Sequence, residues 1–198
     1  NAADNSGILK YVRIEYAGYN LSQDNEINGL TLGGVGNATT LDHIQVSFGK
    51  DDSFEFFGGT VNASNLVSFA ADDDNFDFDN GYTGTITCAL ALADYNSTHS
   101  LSGSSPDSNG IELDNNADGS STSLLTHPVI NNLTIIGSKN SSKGALYENG
   151  IHIRRHGRLT LNNAVVTGYP VGIKVEGTGS ELSSASAYNT IQIHGFNT

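Results

Sequence analysis

Two short patterns of apolar and polar positions alternate along the chain. The first reads turn residue, small residue, apolar, any residue, apolar. It occurs at Asn28-Gly29-Leu30-Thr31-Leu32, Asp52-Ser53-Phe54-Glu55-Phe56, Asp74-Asn75-Phe76-Asp77-Phe78, Asn109-Gly110-Ile111-Glu112-Leu113 and Asn149-Gly150-Ile151-His152-Ile153. A further copy, Val171-Gly172-Ile173-Lys174-Val175, opens on Val171. Such alternation predicts strands. The second pattern reads apolar, two residues, apolar, one residue, apolar. Leu9/Val12/Ile14, Leu41/Ile44/Val46, Ile130/Leu133/Ile135 and Leu161/Ala164/Val166 follow it. Weaker copies are expected at Leu66 and Cys88, 22 and 44 residues after Ile44.

The first apolar residues of the first pattern are 24, 22, 35, 40 and 22 residues apart. A period in the twenties with strands at fixed phase predicts a solenoid. Leucine-rich repeats share the period, but their fixed Leu and Asn positions do not occur here. The expected fold is all-β, a right-handed parallel β-helix with rungs of about 22 residues. An antiparallel β-sandwich also places strands every 8–12 residues or so, yet it gives no reason for one motif to return in phase. In the β-helix, Leu30, Phe54, Phe76, Ile111, Ile151 and Ile173 form one inward column. Leu32, Phe56, Phe78, Leu113, Ile153 and Val175 form the next.

Longer gaps read as insertions. Residues 17–27, 92–108 and 137–148 emerge at one edge of the solenoid and 114–128 at the other. Loops gathered on one edge of a solenoid often build its binding surface. Tolerated lengthening explains them equally well, because a longer surface loop costs little.

Composition agrees with this reading. Gly is 23 of 198 residues, Asn is abundant, and Met and Trp are absent. Gly and Asn weaken helices and favour tight turns. The single cysteine, Cys88, excludes an internal disulfide and a cysteine-rich zinc site. The formal net charge of −12 argues against nucleic acid and against docking on anionic lipid. No apolar run reaches the roughly 20 residues of a membrane helix, so no membrane insertion is expected. The charge is also uneven. Asp51 to Asp118 contains 13 acidic residues and no Lys or Arg, whereas Lys139 to Glu176 contains six Lys or Arg and two Glu.

Residues between the inward positions face outward. Thr31, Glu55, Asp77, Glu112, His152 and Lys174 stack in one outward column, and Gly33, Phe57, Asp79, Asp114, Arg154 and Glu176 in the next. Carboxylates about 4.8 Å apart on adjacent rungs repel and raise one another's pKa. A bound cation relieves this, and hard oxygen donors favour Ca²⁺. The densest run predicts a Ca²⁺ site at Asp72, Asp73, Asp74, Asp77 and Asp79; a solvated acidic face is the alternative. The run is not an EF-hand loop. Aligned on Asn75, Asp77 and Asp79, it has Asn80 for the sixth-position glycine and Ile86 for the terminal glutamate.

Catalysis would draw on the same columns. Asp77, Asp79, Glu112 and Asp114 could supply the two carboxylates of a glycoside hydrolase, within about 10 Å of each other. A polysaccharide lyase would add a base, with Arg154, Arg155, Arg158 and Lys174 one or two rungs beyond. No motif assigns roles to them, and no G-x-S-x-G elbow is present. His43, His99, His127, His152, His156 and His194 lack metal-ligand spacing and are expected in surface or capping roles. Asn28, Asp52, Asp74, Asn109 and Asn149 are expected to bond the local backbone as turn residues. Tyr11, Tyr16, Tyr19, Tyr82 and Tyr147 are expected outward, as ordinary surface or as platforms for sugar rings.

Several long strings carry a family resemblance: GILKYVRIEYAG (Gly7–Gly18), EINGLTLGGVG (Glu26–Gly36), DDSFEFFGGTVNASNLVS (Asp51–Ser68), DDDNFDFDNGYTG (Asp72–Gly84) and SNGIELDNNADGS (Ser108–Ser120). Over residues 4–140, and more loosely beyond, the chain resembles a family of secreted or cell-surface right-handed β-helix proteins of Bacteroidota. Some members look like type IX secretion cargo with a C-terminal sorting domain. The resemblance implies fold and an extracellular or outer-surface location, and it carries no catalytic residues. Family members usually have further rungs upstream with a Gly-Trp-Gly-Gly string. Residues 1–198 are therefore expected to be one β-helix domain within a longer polypeptide, packed on flanking parts of it.

The functional expectation is a non-catalytic module for adhesion, structural display, or binding of a glycan or cell-surface protein, with possible Ca²⁺ stabilisation. The alternative is a polysaccharide lyase or glycoside hydrolase, with Asp77, Asp79, Glu112, Asp114 and Arg154 as its site. The acidic charge favours a neutral, cationic or Ca²⁺-bridged partner.

Overall fold

A computed structural model describes residues 1–19, 27–97, 99, 101–102, 105–120, 123–139, 147–177 and 185–197. Its strands, in chain order, are β1 (Ile8–Glu15), β2 (Leu30–Gly33), β3 (Thr40–Ser47), β4 (Phe54–Phe57), β5 (Asn62–Phe69), β6 (Phe76–Asp79), β7 (Thr85–Leu92) and β8 (Leu101–Ser102). There follow β9 (Ser105–Pro106), β10 (Ile111–Leu113), β11 (Val129–Ile136), β12 (Asn149–Ile153), β13 (Thr160–Thr167), β14 (Val171–Val175) and β15 (Ala187–His194). Sheet one has seven strands in the order β1-β3-β5-β7-β11-β13-β15, and sheet two six in the order β14-β12-β10-β6-β4-β2. All pairing within these two sheets is parallel. The chain alternates between the sheets, so each circuit adds one rung to a right-handed parallel β-helix. A sandwich is excluded. The small hairpin β8–β9 belongs to the insertion between β7 and β10.

The inward columns have the expected register. Leu30, Phe54, Phe76, Ile111, Ile151 and Ile173 pair in succession, as do Leu32, Phe56, Phe78, Leu113, Ile153 and Val175. Phe54 stacks on Phe76 with ring centroids 5.3 Å apart, and Phe56 on Phe78 at 5.1 Å.

A backbone kink explains the uneven spacing in sheet one. Tyr11, His43, Asn65, Cys88, Asn132, Asn163 and Thr190 all have φ between 53° and 61°. The left-handed residue is skipped in every pairing register. It acts as a bulge, so residues on either side of it, such as Leu9 and Val12, are both brought inward. Cys88 therefore does not occupy the Ile44 column. It is exposed at the kink, and Ala89 takes the inward position next to Leu66.

The small residue of the first pattern faces sheet one. A Cβ at Gly29 or Gly150 would lie 2.3 Å from Val46 Cγ1 or Val166 Cγ1, and one at Gly110 would lie 2.6 Å from Ile135 Cγ2. Sheet one carries Ser68 and Ala91 in the same column at intermediate rungs, and there sheet two admits Ser53 and Asn75. The polar side chains complete an internal chain of hydrogen bonds. Ser68 donates to Ser53 Oγ at 2.7 Å, Asn75 Nδ2 to Ser68 Oγ at 2.7 Å, and Tyr169 to Asn75 Oδ1 at 3.0 Å.

Tyr82 and Tyr147 are buried, contrary to the outward expectation. Tyr82 packs on Phe56 and Phe78 and donates to Val61 O at 2.8 Å; Tyr147 packs on His99 and Tyr169. A large ring in a turn folds back over the open corner between the sheets and removes apolar area from water. Tyr11, Tyr16 and Tyr19 are exposed as expected.

Candidate functional site

The outward columns of sheet two have the expected register. Thr31, Glu55, Asp77, Glu112, His152 and Lys174 are successive partners. Gly33, Phe57 and Asp79 pair in the next column. Hydrogen bonds from Asp114 N to Phe78 O, Arg154 N to Leu113 O and Glu176 N to Ile153 O carry the ladder on past the strands. Asp77, Asp79, Glu112, Asp114 and Arg154 thus share one face. The face is less solvated than an ordinary sheet surface. Glu55 and Glu112 are each 7% exposed, Asp114 7% and His152 2%.

The face divides into two halves by charge. In the later rungs the ions are paired. Arg154 forms ion pairs with Glu112 and with Asp114, the latter at 3.5 Å from Nε. Arg155 reaches Asp114 Oδ2 at 2.5 Å. His152 Nε2 lies 3.0 Å from Glu176 Oε1, and Lys174 lies 2.8 Å from Glu176 Oε2. His152 is buried while its partner Glu176 is partly exposed, and His99 is buried against Tyr147, so neither lies at the surface, one of the two placements expected for the histidines.

In the earlier rungs Glu55, Asp77 and Asp79 lie on the same face, and among the described residues none of these three is in an ion pair with Lys, Arg or His. Burial pushes Glu55 up to about 8, reinforced by the charges of Asp79, Asp51 and Asp73. Burial and the Asp114 charge push Asp79 up to about 7. Burial also raises Asp52, Asp74 and Asp77 well above the usual carboxylate range, with neighbouring acids adding to each. Asp114 is raised by burial against the opposing pull of Arg155.

The predicted Ca²⁺ ligands are only partly brought together. Carboxylate oxygens of Asp51, Asp52 and Asp73 lie within 4.8 Å of one another, and so do those of Asp52, Glu55 and Asp77. Asp73 and Asp77 are common to this geometry and the sequence expectation. Asp72, Asp74 and Asp79 lie outside both groups, and Asp51, Asp52 and Glu55 enter instead. The difference follows from the rung: residues about 22 apart in sequence are neighbours across it, so Asp51, Asp52 and Glu55 on one rung come close to Asp73 and Asp77 on the next.

In the turn column Asn109 Nδ2 donates to its local backbone as expected, to Asp107 O at 2.7 Å, but the column's side-chain oxygens bond the next rung. Asp52 Oδ1 accepts from Asp74 N at 2.9 Å, Asp74 Oδ1 from Asn109 N at 2.5 Å, and Asn109 Oδ1 from Asn149 N at 3.2 Å and from Asn149 Nδ2 at 2.7 Å. Asp52, Asp74, Asn109 and Asn149 form a buried polar spine along one corner of the solenoid.

An open cleft of about 430 Å³ lies beside the paired half of the face, lined by Asp118, Gly119, Arg154, Arg155, His156 and Glu176. It sits at the junction that carries the 114–128 insertion. The opposite edge, with 17–27, 92–108 and 137–148, lies partly outside the described residues. No helix is long and apolar enough to cross a membrane among the described residues.

Fold and face together define a right-handed parallel β-helix with a charged strand face. The chain belongs to the pectate-lyase-like beta helix domain family, whose model matches residues 1–197. No curated protein and no solved structure matches the chain.

Proposed function

We propose that this β-helix is a non-catalytic extracellular module that binds a glycan, or a glycan-bearing surface partner, in the cleft beside Arg155. One observation carries the reading. Arg154, Arg155, Lys174 and His152, the groups on this face that a lyase would use to grip a uronate or take its proton, already lie against Glu112, Asp114 and Glu176. A side chain already held against a carboxylate of the protein is poorly placed to reach a substrate proton as a general base. The same pairing gives the cleft fixed donors and acceptors of both signs, which suits a polyhydroxylated ligand better than an anionic one. The extracellular location rests on family membership and on the resemblance to secreted β-helix proteins. Family membership also favours a second reading, a polysaccharide lyase or glycoside hydrolase using Asp77, Asp79, Glu112, Asp114 and Arg154.

The test is a panel of neutral and acidic polysaccharides, scored both for binding and for new reducing or unsaturated ends. Binding without release, weakened by Arg155→Ala or His156→Ala, is the expected result. Release that disappears in Asp77→Ala or Glu112→Ala would overturn it and establish the enzyme.

A further inference from the structure

We propose that Asp52 is the centre of a Ca²⁺ site formed with Glu55 and Asp77 and flanked by Asp51 and Asp73. The site is independent of the glycan cleft. Oxygens bound to one Ca²⁺ at about 2.4 Å lie no more than about 4.8 Å apart. The carboxylate oxygens of Asp52, Glu55 and Asp77 satisfy this limit, and so do those of Asp51, Asp52 and Asp73. Asp52 belongs to both groups, so the two triads meet at one residue.

The side chains point to a missing partner. Glu55 is 7% exposed and makes no hydrogen bond or ion pair among the described residues. Its register partner across β4 and β6 is Asp77, whose Oδ1 is buried without a hydrogen bond. A buried, unpartnered carboxylate costs more than the exposed form it could have kept. Glu55 and Asp77 meet in register beside Asp52, and a bound cation would compensate all three.

The polar spine supplies an independent comparison. Asn109 performs at its rung the task that Asp52 and Asp74 perform at theirs, offering a side-chain oxygen to the backbone N–H of the next rung. An amide oxygen is sufficient for that bond, so the spine does not require a charge at position 52. Asp52 uses Oδ1 for the spine and makes no other side-chain hydrogen bond among the described residues. A carboxylate oxygen of Asp52 lies within 4.8 Å of those of Glu55 and Asp77. All-oxygen carboxylate donors of this kind select a hard cation, and the loose multi-residue geometry suits Ca²⁺ better than the strict octahedron of Mg²⁺.

The experiment titrates CaCl₂ into the chelator-treated full chain by calorimetry, with thermal unfolding in parallel and no glycan present. Saturable binding and a raised Tm are expected. Asp52→Asn preserves the spine acceptor, as Asn109 shows, and should weaken binding by about tenfold or more. Glu55→Gln lies outside the spine and should do the same, so it carries the test if Asp52→Asn fails to fold. Asp74→Asn, at the equivalent spine position outside both triads, should leave binding unchanged. Absence of binding at millimolar CaCl₂, wild-type affinity in both Asp52→Asn and Glu55→Gln, or equal loss in Asp74→Asn would each overturn the site.

Discussion

Phe54 lies over Phe76 one rung away, with ring centroids 5.3 Å apart and planes 13° from parallel. Both are buried, at 0% and 1% exposure, and each sits within a continuous column from Leu30 to Ile173. Interior columns of a solenoid cannot collapse sideways into a gap, because the rungs above and below fix the spacing. Phe76→Ala should therefore cost about 3–5 kcal/mol, at the upper end for a buried aromatic. Denaturant unfolding measures it; a loss under about 1 kcal/mol would contradict a rigid column.

The polar spine makes a sharper prediction. Asn109→Ala removes the acceptor for both Asn149 N and Asn149 Nδ2, which are buried. Asn149 Nδ2 keeps Glu148 Oε2 at 3.1 Å, so the cost is that of the stranded Asn149 N–H, about 1–3 kcal/mol. Asn109→Asp keeps the acceptor and brings a charge beside Asp74, so it should be nearly as stable as wild type at low pH and less stable at neutral pH. Chemical unfolding at two pH values separates the two effects.

Sequence periodicity made the columns legible, since side-chain direction along a strand follows from alternation alone. The kink at Tyr11, His43 and their stacked equivalents was visible only as an unexplained extra residue in the spacing. That is why Cys88 reads as inward when Ala89 is. Burial of the acids was not legible, because alternation says which way Glu55 points and not what covers it. The full grouping of the acids was hidden for a related reason. Local density drew the expectation to residues 72–79, whereas neighbours in a solenoid also come from the next rung, where Glu55 is the register partner of Asp77. The Gly29, Gly110 and Gly150 positions opposite Val46, Ile135 and Val166 were present in the pattern as a small residue, but the reason for smallness lies in the other sheet.

Arg154 supports the later half of the face. It is mostly buried and pairs with Glu112 and Asp114, whose side chains are 9% and 10% exposed. Arg154→Ala strands Glu112 and leaves Asp114 with Arg155 alone, and it should cost about 3–5 kcal/mol, the usual consequence of breaking a buried pair on one side. The double variant Arg154→Met with Glu112→Gln should recover much of that loss. A double variant no better than the single one would mean that packing of the Arg154 stem, not charge, is what matters.

His127 gives a pH signature away from the acidic groups. Its Nε2 lies 3.0 Å from Thr160 Oγ1, and burial, then the Arg158 charge, hold its pKa below the ordinary value. The folded chain therefore rejects a proton that the unfolded chain accepts at about pH 6.5. Between the lowered folded value and that ordinary value, the unfolded state binds more protons, so this residue's contribution to stability rises with pH and is lost on acidification. His127→Gln should flatten that part of the stability–pH curve. Arg158→Gln should move the His127 titration upward but not fully to the ordinary value, because burial is the larger cause. NMR titration of the His127 ring protons checks both; a midpoint at or above the ordinary histidine value in the native chain would contradict the assignment.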